Sequence, residues 1–210
     1  MVSQAEVAFS FKLSELSDDL DRPWGIAALP DGRVVITERH GTIRIYSKDK
    51  LSPAISGLPS VYNAGQGGLL DVMPHPDFNS NRWLYFTYSA GSATRNRLVL
   101  ARATLQGEQL SQVKVLFEAR PDKKWAYHFA GRMTFLPDKT LVFGVGDGSA
   151  YMEEAQNLGT HLGSLVRLND DGTVPADNPF VNQPDALPEI YSYGHRNPQG
   201  LFYDKKRNVL

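Results

Sequence analysis

Apolar and polar positions alternate with a period of two over short runs, and the runs come in pairs joined by a turn that carries an aspartate. The first pair is Trp24–Leu29 and Arg33–Glu38, turning through Pro30-Asp31-Gly32. The second is Gly68–Met73 and Trp83–Tyr88, turning through Pro76-Asp77-Phe78-Asn79. The third is Gly131–Leu136 and Thr140–Val145, turning through Pro137-Asp138-Lys139. A fourth begins at Gly200-Leu201-Phe202-Tyr203-Asp204 and runs into Asn208-Val209-Leu210. Pro presets φ, Asp bonds its own backbone, and Gly or Asn takes a positive φ, so each turn has hairpin chemistry. β-Branched and aromatic residues fill the strands.

Between the hairpins lie outer-strand candidates at Gly41–Tyr46, Leu98–Ala103 and Ser164–Leu168. The turn aspartates fall at 31, 77, 138 and 204, spaced more widely than the roughly 40 to 50 residues of common propeller blades, which insertions would explain. One local motif returning in one order predicts an all-β propeller in preference to a Greek-key sandwich, whose strands seldom resemble one another. Residues 1–210 are read as a single β-propeller domain, the N-terminal part of a longer protein with its C-terminal blades missing. Roughly four blades are expected, the last ending in mid-hairpin and leaving open strand edges. The helical signal is confined to Tyr151–Asn157.

The composition, 41% hydrophobic and 21% charged, is that of a folded globular chain. A net charge of −1 supplies no basic field for nucleic acid. The absence of cysteine removes disulfides, thiolate metal sites and cysteine nucleophiles together. No run of eighteen apolar residues predicts a membrane span, and Met1–Val7 lacks the marks of a signal peptide.

Several motifs carry candidate chemistry. His128, just ahead of the third hairpin, is a candidate general base, because imidazole takes up a proton near neutral pH without prior tuning. Gly65-Gln66-Gly67-Gly68 lacks the helix and Lys-Ser/Thr of a phosphate loop and reads as a tight strand entry that brings the Gln66 amide to the strand mouth. Gly144-Val145-Gly146-Asp147-Gly148 lacks the helix of a dinucleotide fingerprint, and Asp147 either enters a polar site or caps the loop. Asn169-Asp170-Asp171-Gly172-Thr173 reads as a turn and not a calcium loop. Tyr193-Gly194-His195-Arg196-Asn197-Pro198-Gln199-Gly200 is the densest polar cluster, with Arg196 and Asn197 setting a fixed cation beside an amide, although Arg196 would also serve to brace neighbouring strands. Serine-hydrolase and zincin signatures are absent.

Arg22-Pro23-Trp24-Gly25, Gly65–Val72 with Pro76-Asp77-Phe78, His128 with Gly131-Arg132, and Tyr193–Gly200 together resemble the soluble PQQ-dependent sugar dehydrogenases of the glucose/sorbosone dehydrogenase family, in particular the aldose sugar dehydrogenase branch. The resemblance implies a six-bladed propeller that oxidises the anomeric carbon of an aldose to a lactone, passing hydride to pyrroloquinoline quinone (PQQ) and then electrons to an external acceptor. It implies His128 as the base, Arg196 as the group that polarises the quinone carbonyl, and Gln66, Asn197 and, more loosely, Asp147 as cofactor contacts. It also implies calcium, whose ligands would lie beyond residue 210, and a periplasmic or secreted location. The glucose dehydrogenase branch has an acid directly before the base. Tyr127 stands there, leaving the phenol to orient the imidazole. The contrasting reading is a propeller that binds a carbohydrate or a protein without turnover.

Overall fold

The structure, a computed structural model, describes residues 11–210, so the reading of Met1–Val7 lies outside the described residues. Three four-stranded antiparallel sheets follow one another along the chain, each a simple meander. The first comprises β1 (Pro23–Ala28), β2 (Val34–Glu38), β3 (Thr42–Ser47) and β4 (Lys50–Leu51). The second comprises β5 (Leu69–Pro74), β6 (Trp83–Gly91), β7 (Asn96–Gln106) and β8 (Gln109–Glu118). The third comprises β9 (Ala130–Phe135), β10 (Leu141–Val145), β11 (Ser164–Leu168) and β12 (Ile190–Tyr193). The leading hairpin of each is the pair that the alternation predicts. The second turn winds into a single helical turn, α1 (Phe78–Asn81), and Met152–Gln156 forms a 3₁₀ helix within the excursion expected to be helical.

The fourth repeat departs from expectation. Residues 200–210 form no strand among the described residues, and Asp204 and Val209 make one isolated bridge. The turn chemistry survives, since Asp204 Oδ1 accepts the Lys206 N–H at 2.9 Å. The apolar side chains that would hold the strands lack a partner sheet, and Phe202 is 76% exposed. The described residues therefore build three complete sheets where roughly four blades were expected.

The sheets stack face to face. Leu69, Val72, Phe86 and Val99 turn one face of the middle sheet into a core shared with Val35, Ile43 and Ile45. Leu70, Tyr85, Leu98 and Leu100 turn the other face towards Phe129, Met133, Phe143 and Val166. With both faces covered, β5 to β7 read as nearly continuous apolar runs, whereas β3 alternates between buried and half-buried positions.

The sheets are also tied by a repeated hydroxyl bridge. Thr37 Oγ1 of β2 donates to Leu70 O of β5 at 2.5 Å, and Thr87 Oγ1 of β6 donates to Gly131 O of β9 at 2.7 Å. Each threonine also accepts an inner-strand N–H, from Gly25 at 2.8 Å and Asp71 at 3.1 Å. Both threonines follow the residue paired with the inner strand's fourth position, Ile36 with Ile26 and Phe86 with Val72. The third sheet has Gly144 at that place, after Phe143, and Pro198 packs where the side chain would stand.

Two buried histidines give the fold a pH dependence. His75, 3% exposed, accepts the Asp77 N–H at 3.0 Å on Nδ1 and is enclosed by Trp83, Tyr85 and Phe135. His161, 1% exposed, accepts the Arg120 N–H on Nδ1 at 3.0 Å and donates from Nε2 to Glu189 Oε1 at 2.8 Å. Burial pushes both imidazoles below the ordinary value of 6.5. The folded state therefore prefers them neutral, and their contribution is complete above pH 6.5 and declines as pH falls below it, where the unfolded chain binds protons that the folded chain refuses. Urea unfolding is expected to show a lower midpoint at pH 5.5 than at pH 7.5, and equal midpoints would contradict this account.

Candidate active site

Antiparallel pairing puts the starts of β5, β7, β9 and β11 and the ends of β6, β10 and β12 at one end of the stack. The Pro-Asp turns occupy the other end. Gln66, His128, Asp147, Arg196 and Asn197 all lie in the connections at the first end.

The entry into β9 is unusual in its backbone. His128 and Ala130 have φ of +48° and +57°, in the left-handed region that costs a residue with a Cβ about 1 to 3 kcal/mol. Neighbours hold this conformation. The His128 N–H donates to Gln66 Oε1 at 2.8 Å, and the Ala130 N–H donates to Asn197 Oδ1 at 2.9 Å. The Gln66 N–H in turn donates to Ala126 O at 2.8 Å. Such close approach requires glycine at two places, since a Cβ on Gly65 would collide with Ala126 O and one on Gly146 with His128 O.

Asp147, 1% exposed at the end of β10, reaches the imidazole. Its Oδ1 accepts the His128 Nδ1 proton at 2.6 Å and the Ser149 N–H at 2.7 Å, and its own N–H donates to Arg196 O at 2.8 Å. Of the two roles open to Asp147 from sequence, it fills both. Tyr127 does not orient the base: the residue is 49% exposed and its hydroxyl makes no hydrogen bond among the described residues, while the imidazole's partner is Asp147. The carboxylate that serves the imidazole comes from the 146–148 loop and not from the preceding residue.

Because Asp147 takes the Nδ1 proton, Nε2 is left with its lone pair. It has no hydrogen-bond partner among the described residues, while the side chain remains 15% exposed. Gln66 and Asn197 are fixed by the same logic. Each spends its carbonyl oxygen on a backbone N–H, so each NH₂ group is left free as a donor.

A cavity of about 270 Å³ opens beside this cluster, lined by Trp24, Arg39, Gln66, Phe129, Asn197 and Gln199. Arg39 Nη2 donates to Gly65 O and, at 2.9 Å, to Gly67 O, and its buried Nε has no partner. Arg132 stacks 4.2 Å over the Trp24 ring and donates to Asp71 Oδ1 at 3.0 Å and Gln199 O at 3.2 Å, tying β1, β5 and the segment after β12 together. His128 does not line this cavity; with Phe129 it lines a second, much smaller one. The Arg196 side chain is exposed and makes no hydrogen bond among the described residues, so it braces nothing and joins the cluster only through its carbonyl.

Sequence reasoning thus brings Gln66, His128, Asp147 and Asn197 into one hydrogen-bonded group and leaves the Arg196 guanidinium outside it. It passes over Arg39, which no motif marks. Among the described residues no three His, Cys, Asp or Glu side chains come together to hold a metal ion. The run at Asn169–Thr173 is the expected turn, Asp171 Oδ1 accepting the Thr173 N–H at 2.8 Å.

The profile of the Glucose / Sorbosone dehydrogenase family matches residues 20–210. The chain belongs to this family. Among relatives of the glucose/sorbosone dehydrogenase chain, aldose sugar dehydrogenase YliI of Escherichia coli K12 is 38% identical over 200 residues, covering 93% of this chain and 54% of that protein. A crystal structure of a glucose dehydrogenase superposes with a TM-score of 0.89 at 39% identity, covering 93% of this chain and 58% of that one. The PQQ-bound aldose sugar dehydrogenase of Streptomyces coelicolor superposes with a TM-score of 0.77 at 33% identity, covering 93% and 57%. The family member described here spans about half the length of the curated relatives it matches. Its all-β sheets agree with theirs, and among the described residues no helix is long and apolar enough to cross a membrane.

Proposed function

We propose that this chain is the N-terminal part of a six-bladed propeller enzyme that oxidises the anomeric hydroxyl of an aldose to a lactone with PQQ as hydride acceptor. The observation that carries the reading is the His128–Asp147 hydrogen bond of 2.6 Å, in which the carboxylate accepts and so holds the ring proton on Nδ1, leaving Nε2 free to take a proton from a sugar hydroxyl. Asp147, almost fully buried, then faces the imidazolium that forms and stabilises it.

The residues present fit the cofactor. PQQ is rich in carbonyl and carboxylate oxygens, and the cavity offers the free NH₂ groups of Gln66 and Asn197 with the Arg39 guanidinium, all donors. Arg196, exposed and unbonded, is the cation we assign to charge arriving on the quinone. When bound, PQQ supplies the two-electron sink. The chain's own part is to bind, to orient and to hold the proton on His128 Nε2. Calcium, whose ligands the resemblance places beyond residue 210, belongs to the same proposal; among the described residues no metal-holding group assembles, and no step is assigned to it. A periplasmic or secreted location and an external electron acceptor belong to the same proposal.

The test is a titration with PQQ, with and without calcium, of a chain that carries this sequence at the full length of its relatives, followed by aldose-dependent dye reduction. Binding with turnover is expected. A folded protein that binds no PQQ would overturn the dehydrogenase reading in favour of a propeller that binds its ligand without chemistry.

A further inference from the structure

Lys123 is buried to 3% exposure, and among the described residues it forms no ion pair. Its Nζ donates to Asn96 Oδ1 at 3.0 Å and Trp125 O at 2.8 Å, and stands 3.4 Å over the centroid of the Phe129 ring. An ammonium has three protons to place. Two neutral oxygens and an aromatic face satisfy them without a carboxylate in contact. That is costly for a purely structural lysine, which when buried ordinarily pairs with an acid.

Its surroundings explain the placement. Lys123 and Asn96 exchange both backbone N–H···O bonds at 2.9 Å, and Asn96 Nδ2 donates to Lys124 O at 2.9 Å, so the segment leading to His128 is clamped to the start of β7. The lysine stem lies against Gly148, where a Cβ would stand 2.7 Å from Lys123 Cδ. Asp147 is the adjacent residue. Lys123, His128, Phe129 and Gly146 line the same small cavity.

We propose that Lys123 is a positioning residue for the His128–Asp147 pair: its buried ammonium ties down the segment that carries His128 and keeps Asp147 as the imidazole's charged acceptor. Burial pushes the lysine down to about 7, with Asp147 opposing the shift. The other charged groups around the imidazole are few. Asp147 faces it from the loop after β10. From β7, Arg97 lines the small cavity but is engaged by Asp122 at 2.5 Å and Glu118 at 3.2 Å. From the loop after β12, Arg196 reaches the pair through its carbonyl.

The inference rests on the reading of His128 as the base for its catalytic meaning, yet its test needs no turnover. The His128 imidazole signal is followed by NMR against pH in the protein and in Lys123→Gln, with His128→Gln for assignment. Glutamine keeps the capacity to donate hydrogen bonds and removes the charge. The midpoint is expected to rise by about 0.5 to 1 pH unit once the neighbouring cation no longer opposes the imidazolium. Lys123→Met, which removes the charge and keeps a buried stem, is expected to move the midpoint in the same direction, so the test does not rest on one variant. An unmoved midpoint in either variant when folded would overturn the proposal. Failure of the sugar dehydrogenase reading would show instead as absent PQQ binding with this coupling intact.

Discussion

His128→Ala is expected to lower aldose-dependent turnover by about two to four orders of magnitude, the range typical for loss of a general base. PQQ affinity should change little, because the donors assigned to the cofactor belong to Gln66, Asn197 and Arg39. Alanine already stands at a left-handed position two residues on, at Ala130, so the backbone at 128 tolerates the replacement. The assay requires the full length of the relatives and should report kcat separately from KM. Turnover within threefold of the unsubstituted protein, with cofactor bound, would remove His128 from the chemistry.

Asp147 separates two contributions that His128→Ala merges. Its Oδ1 accepts both the imidazole proton and the Ser149 N–H. Asparagine with its oxygen at that place keeps both bonds and loses only the charge. Exchanging a charge-assisted bond for a neutral one is worth about 1 to 2 kcal/mol, so Asp147→Asn should lose about tenfold or somewhat more in kcat. Its acid limb should move to lower pH, since the imidazolium is no longer stabilised. Asp147→Ala frees the ring to rotate, and the loss should reach about a hundredfold or more. Equal losses in the two variants would mean that orientation plays no part.

The strands were legible because their signal is local. Alternation and Pro-Asp turns mark the leading hairpin of each sheet to within one to three residues, since both period and turn chemistry act over a few positions. The fourth hairpin shows the limit of that signal. The turn forms around Asp204, but the strands do not, because a strand needs a neighbouring sheet to cover Phe202 and nothing in the local sequence provides one. At the site, His128, Gln66 and Asn197 were visible as residue types in turn-rich motifs. The orienter of the imidazole was not: Tyr127 is adjacent in sequence, whereas Asp147 is nineteen residues away and arrives only through the pairing of β9 with β10. Lys123 gave no signal, for its ammonium finds its partner in Asn96 of β7, twenty-seven residues earlier in the chain.

The polarity of the stack also has a practical side. A β-strand of six residues spans about 20 Å, and β9 places that distance between the entry at His128 and the turn at Pro137-Asp138-Lys139. A fluorophore, an immobilisation tag or an inserted peptide at that turn would be carried by the protein without sharing a hydrogen bond with the residues that handle the proton. The remote end of each hairpin is therefore the handle by which such a protein can be wired to a surface or a reporter while its chemical end stays as the chain built it.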